Sequence, residues 1–222
     1  MKSIFYKDTF TKISEAKRNK IIQTATHEFA EHGFESANIN TIAKKAGISI
    51  GAMYSYFGSK EDLFSTIVGF AVETLKSALD KIMQSEDDFL LKIESIIRAI
   101  QVSSRENVLL TKLYGQLTAE NRYDLIAQIV TEMESVSADL YANMLKEAQD
   151  RNEISSEIDV RLFAFFLDNL FITFQFSYTC EYYKERFKIF TNENILDDDV
   201  IVAEQLMKFI KNALAVKTSN HS

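Results

Sequence analysis

The sequence predicts an all-α protein, and three observations carry that expectation. Across 222 residues there is no proline and only six glycines, so the residues that interrupt helices are nearly absent. Apolar side chains fall at helical spacing, as in the stripe of Ile21, Ile22, Ala25 and Phe29. Several glycines stand just past apolar runs that open on Ser or Asn, the pattern of capped helix ends. With 46% apolar residues the chain can bury a sizeable core and is too apolar for global disorder.

Each element follows from its punctuation. Residues 1–14 form an arm bearing Lys2, Lys7 and Lys12 with no apolar run behind them, so they do not read as a signal peptide; the arm is expected to be flexible, the alternative being that it reaches into a minor groove. Ser14 caps a first helix over 15–32, which Gly33 closes. Asn38 caps a short helix over 39–46 that ends at Gly47, and Ser49 caps another over 50–57 that ends at Gly58. Ser59 with Asp62 three residues on forms a capping box that opens a long helix toward Gln84. Further helices are expected near 88–104, 107–118, 122–150, 158–187 and 198–216, about nine in all. Residues 191–199 read as a loop whose Asp197, Asp198 and Asp199 suit the positive end of the last helix. The expected organisation is the arm, a small helical head over 15–60 and a larger helical body over 61–217.

Charge is divided unevenly. The total is −7, yet residues 1–65 hold nine Lys and Arg against seven Asp and Glu, a net of +2 that leaves −9 for the rest. A slightly basic head on an acidic body can hold the head against DNA and keep the body away. The single cysteine, Cys180, sits in an apolar segment and reads as a small buried hydrophobe in a reducing compartment. The most apolar stretch, 163–176, is interrupted by Asp168, Asn169 and Gln175 and falls short of the roughly 20 residues that span a bilayer. The chain therefore reads as cytoplasmic, with no membrane partner.

The head has the register of a helix-turn-helix. Counting from Ile39, Ile42 is fourth, Ala43 fifth, Ala46 eighth, Gly47 ninth, Ile48 tenth, Met53 fifteenth and Tyr56 eighteenth. Ala43 lets the second helix approach, and Gly47 permits a left-handed turn. An ordinary helical hairpin requires no such register.

These residues resemble the DNA-binding head of TetR/AcrR-type bacterial repressors. The resemblance runs through Ala25, Phe29, Gly33-Phe34, Asn38-Ile39, Ile42-Ala43, Ala46-Gly47-Ile48-Ser49, Tyr54-Ser55-Tyr56-Phe57 and Ser59-Lys60-Glu61-Asp62-Leu63, covering about residues 15–64. Beyond that the chain is similar only in length and helical content. The resemblance implies that 50–57 is a recognition helix lying in the major groove. Ser49 would cap it, with free amides facing a phosphate. Tyr54, Tyr56, Lys60 and Thr41 would position the head on the backbone, although one tyrosine can instead pack inward with Phe57. Asn40, Ile50, Gly51 and Ala52 would approach bases. The sequence departs from common readers in one respect: the recognition helix has no Arg, Lys, Gln or His, which excludes bidentate reading of guanine from it. Lys44 and Lys45 either add charge at the backbone or stay solvated.

In the body, 158–187 is apolar nearly all round and needs two packing partners. The last helix can cover one face. A second copy can cover the other, with Phe174, Leu206, Phe209 and Ile210 at the interface, as the resemblance also implies. A large monomeric bundle is the alternative. By the resemblance, Tyr114, Tyr141, Phe166, Asp168, Thr173, Gln175 and Tyr178 would line a pocket for a small, mostly apolar effector, although aromatic stripes equally serve as plain core. Glu134, Asp168 and Glu181 either balance a cationic ligand or sit in salt bridges. Enzyme chemistry finds no support. His27 and His32 lie five residues apart on one helix, His221 is at the tail, and no Gly-rich phosphate loop exists. No cofactor and no metal are expected. The function expected is a dimeric repressor of a palindromic operator in double-stranded DNA, released by its effector. The alternative is a constitutive DNA-binding helical adaptor that recruits a protein partner.

Overall fold

The protein, as a computed structural model, is described over residues 5–117, 123–191 and 195–214. These hold eleven α-helices, with no strand among the described residues. They are α1 Asp8–Thr11, α2 Glu15–Ser36, α3 Ile39–Ala46, α4 Ile50–Tyr56, α5 Lys60–Met83, α6 Phe89–Glu106, α7 Val108–Leu117, α8 Tyr123–Asp150, α9 Val160–Thr179, α10 Glu181–Thr191 and α11 Asp199–Ala213. Lys2, residues 192–194 of the expected loop, residues 215–217 at the expected end of the body and His221 lie outside the described residues.

The excess over nine helices has two sources. The arm is not free chain: Asp8–Thr11 is helical, and Phe10 is 1% exposed because its ring has a place in the head core. The single helix expected over 158–187 is broken at Cys180, which is extended at φ −103° and ψ 123°. Near that end the Ser177 and Thr179 hydroxyls donate to the carbonyls four residues back, the local competition that weakens a helix without glycine or proline.

The chain divides into two compact units, Met1–Thr74 with Leu109–Thr131 and Leu75–Val108 with Glu132–Ser222. The first has an aromatic centre. Phe64 of α5 meets Phe29 and Phe34 edge-on at 5.0 and 5.1 Å. Gly33 does not end α2 but kinks it, with φ 72° and ψ 170°, and Phe34 just beyond is buried.

In the second unit, Ile93, Ile96 and Ile97 of α6, Leu145 of α8, Phe171 of α9 and Ala203 of α11 share one core. Phe174 and Ile210, expected at a dimer interface, belong to this core as well. An all-round apolar helix gives no phase from which its inner side can be told. Leu206 packs against the core edge, while Phe209 is 63% exposed. Polar groups tie the N-terminus of α11 to this core. Buried Gln101 donates to the Tyr178 hydroxyl (3.1 Å) and the Asp199 carbonyl (2.9 Å), and Arg105 pairs with the Asp199 carboxylate. That pairing with Arg105 holds Asp199 below the usual carboxylate range despite its burial.

α9 is the one described helix long and apolar enough, by composition, to cross a membrane. Asp168 near its middle and the burial of Ala164, Leu167, Phe171 and Phe174 in the second unit mark it as a core helix.

Candidate nucleic-acid interface

The turn between α3 and α4 is built by local chemistry. Asn38 Oδ1 accepts from the Asn40 and Thr41 amides at 2.8 and 3.4 Å and so starts α3. Gly47 ends it at φ 74°, with the Ile48 amide reaching the Ala43 carbonyl at 3.0 Å and the Gly47 amide the Lys44 carbonyl at 3.2 Å. This pair of bonds is the Schellman arrangement, and the left-handed residue it needs is the glycine. Ser49 Oγ then accepts from the Ala52 amide at 3.1 Å and opens α4.

The two short helices bury one side and present the other. Ile42, Ala43, Ala46, Met53 and Tyr56 are buried. Facing out are Asn40, Lys44, Ser49, Gly51 and Ser55, with Ile50 40% exposed and Tyr54 49% exposed. Thr41 and Ala52 are half-buried. Of the residues expected at DNA, Asn40, Ser49, Ile50, Gly51 and Tyr54 are thus open to a partner. Gly51 is notable for its surroundings: among the described residues, a Cβ built there would find only Ser49 Oγ, at 4.0 Å. None of the described residues requires a glycine at that place.

Two expected contact residues are turned elsewhere. Tyr56 is the inward tyrosine of the pair, and its hydroxyl accepts from the Lys17 ammonium at 3.2 Å. Lys60 is engaged at the end of α2. Its ammonium donates to the Glu35 and Ala37 carbonyls at 3.0 and 3.3 Å and lies 4.7 Å from the centre of the Phe34 ring. Both carbonyls lie where the chain leaves α2 through the extended Ala37, and a cation is suited to a helix C-terminus. Lys60 is therefore a clamp on the head in this structure. Lys45, one of two lysines open to either role, bridges to Glu28 at 3.0 Å, whereas Lys44 is exposed. Burial would raise the Glu28 carboxyl, but the Lys45 ammonium and the Asn38 amide together hold it below its usual range. The capping box at α5 is shifted by one residue. Ser59 Oγ accepts from the Asp62 amide at 3.1 Å, and the Asp62 carboxylate reaches the Gly58 amide at 3.0 Å.

Sequence reasoning missed the arm's part in this face. Lys7 and Thr9 bond to the end of α4 from 46 to 49 residues away. No periodicity or motif signals a pairing at that distance.

The residues named for an effector pocket have different surroundings. Tyr141 is buried beside Asp168, and its ring meets Phe171 at 5.6 Å. Burial first, and then Glu134, pushes Asp168 up to about 6, while the Ser137 hydroxyl opposes the shift. Burial first, and then Asp168, also raises Tyr141. Phe166 is 55% exposed and Thr173 is exposed, both on the outer side of α9. Tyr178 is tied to Gln101 and Asp199, and burial pushes it up to about 12. Gln175 is half-buried, and Tyr114 belongs to the first unit. Glu181 is exposed and pairs with Lys184 at 2.9 Å.

Comparison with known proteins gives the same fold. The chain is 31% identical over 99 residues to the nucleoid occlusion factor SlmA of Aliivibrio fischeri, a match covering 44% of this chain and 50% of that protein's length. It is 26% identical over 161 residues to the HTH-type transcriptional repressor KstR2 of Rhodococcus jostii, covering 70% and 77% of the two chains. Among solved structures, the Bacillus subtilis transcriptional regulator FadR, in complex with stearoyl-CoA, superposes with a TM-score of 0.69 at 18% identity, over 86% of this chain and 96% of that one. Residues 21–67 match the family described as bacterial regulatory proteins, tetR family. This match covers the kinked α2, the glycine turn and the start of α5. The chain thus carries, over residues 21–67, the DNA-binding head of the TetR family of bacterial regulators.

Proposed function

We propose that the protein is a dimeric repressor whose head holds a palindromic operator through the outer face of α3 and α4. The observation that carries this reading is the composition of that face. Ile50, Gly51 and Tyr54 are presented outward from a helix that buries Met53 and Tyr56, and Gly51 stands in open space where helix propensity alone would favour alanine. A bare backbone on the outer side of a helix suits the close approach of a partner. Asn40, Ile50, Gly51 and Ala52 are assigned to base edges, and Thr41, Ser49 and Tyr54 to the backbone. Tyr56 and Lys60 are left out of the contact set because both are engaged inside the head.

Dimerisation is assigned to the exposed apolar side chains of α9 and α11, notably Leu162, Phe165 and Phe166 on the first and Ile201 and Phe209 on the second. Large aromatic side chains left in water in this way suit a protein partner. A small, mostly apolar effector would bind in the second unit, where Tyr141, Ser137 and Asp168 supply the polar groups of an otherwise apolar interior. Such a protein acts in the cytoplasm, where its DNA is.

The test is selection of duplexes from a random library by the full-length protein, followed by anisotropy titration of the recovered sequence. Tyr54→Ala and Ile50→Asp should each abolish enrichment while the thermal melt is unchanged. Retention of the same sequence by both variants would remove α4 from the interface. The second reading, a constitutive DNA-binding adaptor, draws weight from the similarity to a nucleoid occlusion factor. A thermal-shift screen separates the two, because an apolar compound that stabilises the protein is expected only of the repressor.

A further inference from the structure

We infer that Lys7, Thr9 and Phe10 form a strap that holds the C-terminal turn of α4 in its ordered form and so positions the DNA-contacting face without touching DNA. This rests on the reading of α4 as the helix that meets the operator. The argument begins with length. At seven residues α4 is far too short to be stable alone, and like any helix it ends with four carbonyls that have no partner further along the helix. The last bond of the helix ladder runs from the Phe57 amide to the Met53 carbonyl at 3.0 Å, and the three carbonyls that follow it are satisfied from elsewhere in the chain. The Tyr56 carbonyl accepts from the Lys7 amide at 2.8 Å. The Tyr54 carbonyl accepts from the Lys7 ammonium at 2.8 Å, and the Ser55 carbonyl from the Thr9 hydroxyl. All three bonds come from one short segment near the start of the chain.

That segment is itself fastened down. Phe10 is buried against Phe57 at 4.8 Å and Tyr56 at 5.9 Å. Tyr6 packs on Phe10 at 5.4 Å and on Phe70 of α5 at 6.3 Å. The Arg18 guanidinium of α2 donates to the Thr11 and Ile13 carbonyls at 2.9 and 2.7 Å. The strap therefore joins α2, α4 and α5. Its ammonium sits at the negative end of the α4 dipole, where a cation is favoured. Tyr54 stands on the turn that is held. If the strap lifts, three carbonyls lose their partners, the turn frays and Tyr54 loses its place on the outer face.

The experiment is amide hydrogen exchange on the full-length, DNA-free protein, paired with operator titrations at several salt concentrations. The variants are Thr9→Val, which keeps the shape and removes the donor, Thr9→Ser, which restores it, and Lys7→Met. In the wild type the Lys7 amide should exchange slowly, and Thr9→Val should speed exchange at Lys7 and across 54–57, with Thr9→Ser close to wild type. Thr9→Val and Lys7→Met should each weaken operator binding about three- to tenfold, the worth of one hydrogen bond, with an unchanged salt slope. A Lys7 amide that exchanges as fast as free peptide overturns the strap, whether or not any DNA is bound. A Lys7→Met variant that lowers the salt slope by about one unit, with exchange at 54–57 unchanged, makes Lys7 a phosphate contact and overturns the inference equally. Failure of the wild type to bind any duplex counts against the DNA reading of α4 alone, because the exchange comparison needs no DNA.

Discussion

Replacing Gly51 with alanine should move stability and DNA binding in opposite directions, which no general damage to the fold would do. Gly51 is the second residue of α4 and is exposed. A new methyl group there meets only Ser49 Oγ, at 4.0 Å, so it adds no clash within the protein. The full preference for alanine over glycine inside a helix is about 1 kcal/mol, and in a first turn about half of that is expected. A gain of about 0.5 kcal/mol corresponds to a rise of roughly 1–2 °C in Tm for a chain of this size. At the interface the same methyl must displace a backbone that lies close to a base edge. A misfit of that kind costs about 1–3 kcal/mol at each half-site, or roughly five- to 150-fold in affinity per half-site. The assays are differential scanning fluorimetry and anisotropy on the selected operator. A variant that is more stable and binds as tightly as the wild type would refute close approach at Gly51, and the argument for α4 would lose its main support.

Other substitutions test separate parts of the reading. Lys60→Met should cost about 1 kcal/mol of stability by uncapping the Glu35 and Ala37 carbonyls, and leave the salt slope of DNA binding as it was; a slope lower by about one unit would place Lys60 at a phosphate. Asp168 is pushed up to about 6 from its ordinary value of 3.8, so the folded state holds a proton that the unfolded chain has lost, and stability should fall as pH rises between those values. Asp168→Asn should remove that fall in thermal melts, raising Tm at pH 7.5 and not at pH 3.5; a parallel shift at both would point to a cause other than ionisation. Phe209→Glu should give a soluble monomer in sedimentation, whereas Phe174→Glu should unfold the second unit because it places a charge in the core. A stable dimer of Phe209→Glu would move the interface elsewhere.

What the sequence made legible is what neighbouring residues decide. Ser14, Asn38, Ser49 and Ser59 each accept a bond from an amide two or three residues on, and Gly47 adopts the left-handed turn, because caps and turns are written in a few adjacent positions. The side that α4 presents was readable only in part: Ile50 and Tyr54 are exposed as expected, whereas Tyr56, expected at the DNA, is buried with Met53. The place of Lys60 was not readable, because the carbonyls it meets, at the end of α2, are 23 and 25 residues away. The strap was hidden for the same reason. In the second unit, the inner side of α9 could not be read from a helix with aromatic residues in every direction. Phe174 therefore fell in the core, and Phe166 was left in water.

The outer face of α3 and α4 also constrains what kind of operator the protein can read. Among the residues assigned to bases, only Asn40 carries an amide able to pair with an adenine edge through two hydrogen bonds. Ile50 and Ala52 offer methyl groups, which discriminate by contact with thymine and give guanine nothing in return. Lys44 is exposed on α3, but a single ammonium holds a phosphate as readily as a base. On the proposed dimeric reading, direct contacts from this face favour A·T pairs in each half-site. The remaining specificity would come from the spacing of the two heads, about one helical turn or a multiple of it, and from the deformability of the DNA between them. A head that reads so little by itself would depend on a partner copy for selectivity. An effector that altered the separation of the two heads would then need to supply only a few kcal/mol of coupling to release the operator.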